Sequence, residues 1–233
     1  MKVDILVLAA HPDDAELGCG GTILKHVAMG HKVGIVDFTR GELGTRGTPQ
    51  TREKEAADSA KILGLSAREN LGLPDGFFVN DKEHQLEVVK AIRKYQPDII
   101  LANARYDRHP DHGRGSELAF EASFLSGLQK VETGQAPWRP KVVYHYIQSQ
   151  LIQPDFVVDI SKFWDKKMEA IRAFRTQFYD PNSKEPDTYI SSPAFMQLLE
   201  SRGQEFGHAI GVRYGEGYTV RRFIGVNALT DLI

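Results

Sequence analysis

The sequence predicts an α/β fold, with a Rossmann-like, mostly parallel twisted sheet and helices on both faces. Short apolar runs alternate along the chain with longer segments of helical periodicity. Two apolar runs, 5–8 and 98–102, are each followed by a polar segment that contains His-Pro-Asp. Because ligands of open α/β sheets bind beyond the carboxyl ends of parallel strands, we expect both segments to contribute to one active site there.

Length and composition indicate one compact domain spanning residues 1–233, of which 41% are hydrophobic. The net charge of −2 offers no basic excess, so we expect neither nucleic acid nor a membrane surface as a partner. Met1 and Lys2 lead directly into a strand without a signal peptide, and a cytoplasmic location is expected. Cys19 is the only cysteine, which excludes an internal disulfide and a cysteine-based zinc cluster.

The first half of the chain follows a βα pattern. Its predicted elements are a strand at 3–8, a helix from the glycines at 18–21 to about residue 29, a strand at 32–38, a helix from an N-cap at Thr48 to Gly64, a strand with its loop at 70–76, and an amphipathic helix before Pro97. The glycines do not form a dinucleotide fingerprint, because Ile23 stands where a third glycine or alanine is required. The glycine-rich loop 39–47 is either a substrate-binding loop or a plain connection.

The second half continues with a strand at 98–102 and a helix that ends at Gly127. The later predicted elements are strands at 141–146 and 156–159, helices at 162–176 and 195–206, and a segment at 212–218 that returns to the active-site rim. The intervening stretch from Tyr179 to Pro193 is rich in Pro, Ser, Asp and Asn, and we expect a lid or a subunit contact there.

Metal-ligand chemistry follows both strands of the predicted site. His11 and Asp14 are three positions apart and can reach inward together if the chain turns after Pro12. One histidine of the second segment, His109 or His112, would complete three protein ligands, the number that is typical of catalytic zinc. A single His-Pro-Asp is ordinary turn chemistry, but two of them in strand-end loops favour a metal site.

The segments AHPDDAELGCGGT and RHPDH resemble the signature of the LmbE-like (PIG-L) family of zinc-dependent N-deacetylases, which act on N-acetylglucosamine conjugates. Within that family, the chain length and the segments YDRHPDH and YGEGY are most similar to the bacillithiol-pathway deacetylases. The resemblance implies an amidohydrolase that removes acetate from N-acetyl-alpha-D-glucosaminyl L-malate. Other N-acetylglucosamine derivatives, such as chitin fragments, are the alternative substrates.

The predicted roles combine this resemblance with the chemistry of amide hydrolysis. His11, Asp14 and His112 would hold Zn2+, although such a site also accepts Fe2+, Mn2+ or Co2+. Asp13 would be the general base. His109 would donate to the developing oxyanion, and Asp111 would fix the tautomer of His109 and keep it positively charged.

Four further residues are candidate contacts to the amino-sugar conjugate. The resemblance implies that Arg52 faces the substrate, while Glu42 and Arg108 lie in the rim loops. Related deacetylases form homo-oligomers, often hexamers, and Arg139 is expected to reach a neighbouring subunit's site. For Arg52 the alternative is a surface salt bridge with Glu55 or Glu53, and for the other arginines it is an ordinary solvated surface position.

Two other function classes stay open at this point. One is a zinc hydrolase of another substrate class, such as a peptidase, and the lack of His-Glu-x-x-His counts against the commonest type. The other is a non-catalytic module that binds a metal or ligand. Asp13 favours an enzyme over a binding module, because a module that only binds a metal needs no general base beside the metal ligands.

Overall fold

Seven strands form one mostly parallel sheet in the computed structural model, which describes residues 1–231. The strands are β1 (Ile5–Ala9), β2 (Val33–Thr39), β3 (Ala67–Leu73), β4 (Ile99–Ala102), β5 (Val142–Tyr146), β6 (Phe156–Asp159) and β7 (Gly215–Val220). They lie in the order β3-β2-β1-β4-β5-β7-β6, and β7 is antiparallel to both of its neighbours while the other pairs are parallel. The predicted α/β fold is confirmed.

Helices cover both faces of the sheet. Within the described residues they are α1 (Asp14–Ala28), α2 (Pro49–Leu63), α3 (Lys82–Tyr95), α4 (Pro110–Leu125), α5 (Trp164–Arg172) and α6 (Pro193–Ala209). α3 and α4 pack together, whereas α1, α2 and α5 pack against one another. Among residues 1–231, no helix is both long enough and apolar enough to span a bilayer.

The central strand β1 is buried on both faces, which explains its unbroken apolar run. Leu6 and Leu8 belong to the core that includes Ile92 of α3, whereas Val7 belongs to the core that includes Ile23 of α1. Successive side chains of a strand point to opposite faces, so both faces of β1 need apolar residues. This packing fixes the position from which the chain turns into the first His-Pro-Asp segment.

Two helices begin earlier than the sequence predicts. α1 starts at Asp14, before the glycines at 18–21, and α4 starts at Pro110, directly after His109. Asp14, Asp111 and His112 therefore lie in the first turns of helices, where the helix dipole favours negative charge. His11, Asp13 and His109 precede these helices. The predicted helix at 162–176 is shorter, since α5 ends at Arg172, and β7 was not recognised as a strand.

His145 of β5 is buried and makes hydrogen bonds to residues outside its strand. Arg221 donates to Nε2 of His145 at 3.4 Å, so the ring proton lies on Nδ1, which is 3.1 Å from the Asn103 carbonyl oxygen. Burial lowers the pKa of His145 to about 4, and the charges of Arg221 and Arg105 add to this effect. Between its own pKa of about 4 and the ordinary pKa of histidine, His145 therefore stays neutral in the folded protein, whereas a histidine of the unfolded chain is protonated.

This histidine should make folding stability depend on pH. The pKa of His145 is lower in the folded protein than in the unfolded chain. The contribution of His145 to the free energy of unfolding is therefore complete above the unfolded pKa, and it is lost as the pH falls towards the folded pKa. Between pH 7 and pH 5 we expect a loss of about 2 kcal/mol from this group. Urea unfolding of the wild type and of His145→Gln at both pH values measures it. The stability difference between the two proteins should narrow at pH 5, and a constant difference would contradict the assignment.

Candidate metal centre and active-site cavity

The carboxyl ends of β1 and β4 bring the two His-Pro-Asp segments together. These strands are parallel neighbours, with β2 and β3 beyond β1 and with β5 beyond β4, so the crevice between them is a switch point of the sheet. The centroid of the His11 ring lies 4.8 Å from that of His109 and 5.8 Å from that of His112. The two segments thus meet, as the sequence predicts.

The Asp14 carboxylate lies between two imidazoles. One oxygen is 3.5 Å from Nδ1 of His11, and the other is 3.0 Å from Nε2 of His112. The side-chain amides of Asn103 and Gln148 donate to the same carboxylate at 3.0 and 2.9 Å. Asp14 is buried, so these amides hold its orientation where water cannot.

Each of the two imidazoles has an outer carboxylate on its other nitrogen. Asp75 and Asp111 lie 3.0 and 3.1 Å from Nε2 of His11, and Asp107 contacts Nδ1 of His112. A carboxylate on the far nitrogen orients a metal-binding histidine and raises its basicity. The nitrogens left facing Asp14 are therefore Nδ1 of His11 and Nε2 of His112.

Sequence reasoning missed four of these supporting residues: Asp75, Asn103, Asp107 and Gln148. Asp75 lies in the predicted strand-end loop 70–76 and Asp107 lies five residues before His112, so both offered the signal of a carboxylate after a strand. Asn103 directly follows β4. Gln148 lies in an irregular segment after β5, and nothing in the local sequence distinguishes it from a surface glutamine.

Two overlapping sets of three donors lie close enough to share one ion within residues 1–231. His11 belongs to both sets. One set adds His109 and His112 and the other adds Asp75 and Asp111, and the donor atoms of each set lie within 4.8 Å of one another. Imidazole nitrogen and carboxylate oxygen are both donors that Zn2+ accepts.

The electrostatics of the centre also fit a cation. Burial lowers the pKa of His11, but hydrogen bonds to the surrounding aspartates outweigh burial and hold this pKa well above its ordinary value. Burial likewise opposes protonation of His112, yet Asp14 and Asp107 raise the pKa of His112 to about 9. The carboxylates therefore favour positive charge at the rings, which a divalent cation would supply.

Asp13 precedes α1 in an unusual backbone conformation. Its φ of 109° lies in the left-handed region, and its side chain makes no capping hydrogen bond to the helix. The carboxylate instead accepts from Arg52 at 3.1 Å, and Arg52 also donates to the Pro12 and Gly41 carbonyl oxygens. Burial raises the pKa of Asp13 to about 7, although the Arg52 charge opposes the rise. Arg52 thus positions the carboxylate that was predicted to be the base.

His109 is held differently from the prediction. Its Nδ1 accepts from the backbone N–H of Asp111 at 3.2 Å, as the N-cap of α4, so the proton of the neutral ring lies on Nε2. Burial lowers the pKa of His109, as do the charges of His11 and His112. The prediction that the Asp111 carboxylate orients His109 and keeps it charged is therefore wrong, because this carboxylate contacts His11.

A cavity of about 330 Å³ opens beside this centre. Arg52 and Arg108 line it, and their predicted contact with substrate stays a prediction. Glu42 is absent from the lining within the described chain, and its carboxylate accepts instead from the backbone N–H of Asp75 at 2.9 Å. Arg139 lies outside the cavity of its own chain, and its role in a neighbouring subunit's site likewise stays a prediction.

The stretch 179–193 lies over one side of the cavity. Ile190 lines the cavity, and the guanidinium of Arg108 stacks 4.3 Å from the ring centroid of Tyr189. Glu185 accepts from the backbone N–H of Gly47 at 2.9 Å, which ties this stretch to the glycine-rich loop. Of the two expectations for this segment, the lid has structural support.

A buried ion pair stabilises a break in α1 behind the centre. Cys19 departs from helical geometry, with φ −144° and ψ 17°. Lys167 donates to the Leu17 carbonyl oxygen at 2.9 Å and pairs with Glu216 at 2.6 Å. The Glu216 carboxylate accepts the backbone N–H groups of residues 21 and 22 at 2.9 and 2.7 Å. The pair thus satisfies the backbone groups that the break exposes.

Glu216→Gln is therefore expected to lower the free energy of unfolding by about 3 kcal/mol, because it leaves a buried ammonium without a counter-charge. Urea unfolding measures this loss. The double variant with Lys167→Met should recover part of the stability. Asp58→Asn, which removes an exposed partner of Lys61, is the control and should change little. Wild-type stability of Glu216→Gln would show that the pair does not support the break.

Comparison with solved structures places this fold among known proteins. A conserved protein of Thermus thermophilus is 38% identical with a TM-score of 0.88, and the match covers 97% of this chain and 98% of that chain. N,N'-diacetylchitobiose deacetylase from Pyrococcus horikoshii is 31% identical with a TM-score of 0.82, covering 98% of this chain and 88% of that chain.

Curated relatives carry two kinds of activity in their names. A probable N-acetyl-alpha-D-glucosaminyl L-malate deacetylase 2 of Bacillus subtilis is 29% identical over 194 residues, which is 76% of this chain and 84% of that protein. A 4-oxalmesaconate hydratase of Pseudomonas putida is 28% identical over 189 residues, which is 74% of this chain and 73% of that protein.

A family model described as PIG-L, GlcNAc-PI de-N-acetylase, matches residues 6–123. That range is half of the chain, and it contains both His-Pro-Asp segments and the outer carboxylates that support them. The chain belongs to this PIG-L family of de-N-acetylases, which are enzymes that hydrolyse amides.

Proposed function

We propose that this protein is a metal-dependent deacetylase that removes acetate from an N-acetylglucosamine conjugate. The observation that carries the proposal is the placement of Asp13. Its buried carboxylate follows the ligand-bearing strand end, caps no helix, and is held by Arg52 beside the cavity. A site that only stored a metal would have no need of this carboxylate.

We propose His11, Asp14 and His112 as the ligands of Zn2+. Asp14 faces one nitrogen of each imidazole, and the opposite nitrogens already contact outer carboxylates. The alternative carboxylates also have other partners. The second oxygen of Asp75 accepts from the Leu43 backbone N–H at 2.9 Å, and the Asp111 oxygen that faces His11 also accepts from the Gly76 backbone N–H at 2.9 Å. When bound, such an ion lowers the pKa of a water molecule towards about 7 and polarises the amide carbonyl.

The proton transfers fall to Asp13. Amide hydrolysis needs a group that takes a proton from the attacking water and delivers it to the departing nitrogen. Arg52 fixes the carboxylate from one side, which leaves the other oxygen of Asp13 available to the cavity. The amine then leaves as a neutral or protonated group, and acetate stays behind.

We propose that His109 stabilises the oxyanion as a neutral donor. Its Nδ1 is occupied by the Asp111 backbone N–H, so Nε2 carries the proton that can be donated. Preorganised donors of this kind act without reorganisation at the moment of reaction. Charge on the ring is not required for this role.

Within this class we propose N-acetyl-alpha-D-glucosaminyl L-malate as the substrate. The Bacillus relative carries that activity in its name, and malate would bring two carboxylates to the cavity. Arg108 is exposed at the rim and lines the cavity, where its guanidinium can bind a carboxylate through two hydrogen bonds.

Arg108 gives this substrate proposal a test. We expect kcat/KM for the malate conjugate to exceed that for free N-acetylglucosamine by about tenfold or more, the scale of charge-assisted hydrogen bonds. Arg108→Met should reduce that preference, while the exposed Arg175→Met is the control. Released amine is the quantity to measure.

Equal rates with both substrates would contradict the malate assignment and favour a general N-acetylglucosamine or chitin-fragment deacetylase. Release of amine from neither would contradict the deacetylase proposal and favour the binding-module alternative.

A further inference from the structure

The inner part of the cavity has an apolar wall, which is not needed to bind a sugar that carries carboxylates. We call this part the inner chamber, and it is formed by residues of α1, α5, α6 and the segment after β5: Leu17, Ile147, Trp164, Phe195, Leu199 and Phe206. Four of the six are at most 6% exposed. Apolar walls of this kind select apolar ligand groups, because a polar group placed there would lose its hydrogen bonds to water.

The charged pair in the same wall offers no ligand site. Lys167 and Glu216 line the cavity, but each already has its partners. The Glu216 oxygens accept two backbone N–H groups and the Lys167 ammonium, which also donates to the Leu17 carbonyl oxygen. Arg202, which also lines the cavity, donates to the backbone carbonyl oxygens of residues 148–150. The polar atoms of all three side chains are engaged in the protein, so the inner chamber behaves as an apolar site.

The chamber lies on the buried side of the reacting groups. Leu17 is one helical turn beyond Asp13 and Asp14 on α1. The mouth of the cavity is bordered by the exposed side chains of Leu43 and Arg108, and Tyr189 contacts both Arg108 and Phe195 of the chamber. A substrate whose amide lies at the metal ligands has a sugar whose hydroxyl groups would lose their hydrogen bonds to water on the buried, apolar side. Its sugar therefore faces the exposed rim, and its acyl group faces the chamber.

We propose that the inner chamber binds the acyl chain of the substrate, and that this enzyme hydrolyses N-acyl glucosamine conjugates with straight chains of about four to six carbons better than N-acetyl ones. This inference rests on the proposed amide hydrolysis at the same centre. Water adds to the carbonyl carbon, the carbon–nitrogen bond breaks, and the products are a fatty carboxylate and the free amine. An acetyl group would place a single methyl at the chamber entrance and leave most of the apolar surface unused.

The test uses the Zn2+-loaded full chain and one glucosamine conjugate acylated with acetyl, propionyl, butyryl or hexanoyl groups. Each methylene moved from water into the chamber should raise kcat/KM roughly threefold, so the butyryl substrate should exceed the acetyl substrate by about tenfold. Released amine is measured for the whole series.

A chamber variant separates chain binding from general effects. Leu199→Trp adds bulk to the chamber and should reduce the hexanoyl-to-acetyl ratio of kcat/KM about tenfold or more. Gln197→Trp is the matched control, because this residue is exposed on the same helix and is not among the residues that line the cavity. It should leave both the ratio and the acetyl activity unchanged.

The outcomes distinguish this inference from the function on which it rests. Hydrolysis of the acetyl substrate with slower reaction of every longer chain would overturn the acyl chamber and leave the deacetylase intact. A preference for octyl over methyl glycosides of N-acetylglucosamine, without an acyl-length effect, would assign the chamber to the aglycone and also overturn it. Hydrolysis of no member of the series would overturn both proposals.

Discussion

Asp13→Asn is expected to lower kcat by about 10²-fold or more, the scale of a lost general base, while the protein keeps its metal. Asparagine has nearly the same size, and it tolerates the left-handed backbone conformation in which φ is 109°. The amide cannot take a proton from water, however, and so cannot return one to the leaving nitrogen. Steady-state kinetics measures the loss of kcat, and elemental analysis of the same preparation measures the retained metal.

A control is needed because Asp13 also pairs with Arg52. Asp58→Asn makes the same chemical change on the exposed surface of α2 and should leave kcat unchanged. Unaltered turnover of Asp13→Asn would remove Asp13 from the mechanism. A parallel loss of metal would instead assign it to the coordination of the ion.

The meeting of the two His-Pro-Asp segments in one site could be predicted, because each segment follows a short apolar run that is typical of a buried strand. An unbroken apolar run such as 5–8 is typical of a strand buried on both faces, and β1 is buried in this way. The rule that parallel strands direct their carboxyl ends to one edge then brings His11 and His112 together without further information. The fold and the centre of the site thus depend on patterns that are local in sequence.

The outer carboxylates could not be assigned in the same way. Asp75 lies 64 residues from His11 in sequence, and its contact depends on how the loop after β3 folds over the loop after β1. The family resemblance, and the orienting role that a carboxylate plays toward a catalytic imidazole, assign Asp111 to His109. In the structure both residues lie at the start of α4, where positions two apart do not face each other, and the Asp111 carboxylate contacts His11.

The inner chamber depends on contacts between residues that lie even further apart in the sequence. The break at Cys19 follows from contacts with Lys167 and Glu216, which come from α5 and from a strand that the sequence pattern did not reveal. Glycine-rich β7 (Gly215–Val220) lacks the β-branched alternation that marks a strand, so the sequence indicates only a segment at 212–218 that returns to the rim. Which apolar side chains line a cavity is decided by such packing, and not by local periodicity.

His112→Ala is expected to abolish stable metal binding and activity together. Removal of this ring takes away the nitrogen that lies 3.0 Å from Asp14 and leaves only two of the three proposed ligands. Asp107→Asn should have a smaller effect, a loss of about 10- to 100-fold in metal affinity, because it removes only the carboxylate that orients the His112 ring. Metal content after gel filtration and titration with Zn2+ measure the two effects.

The same measurements decide between the proposed ligands, His11, Asp14 and His112, and the alternative set of His11, Asp75 and Asp111. If His11, Asp14 and His112 hold the ion, then Asp75→Asn and Asp111→Asn should weaken metal binding only to the extent of orienting residues, as Asp107→Asn does. Full metal occupancy in His112→Ala, with loss of the ion in Asp75→Asn or Asp111→Asn, would move the ion to the other nitrogen of His11. In that arrangement Asp14 would become the orienting carboxylate, and the base beside it would need a new assignment.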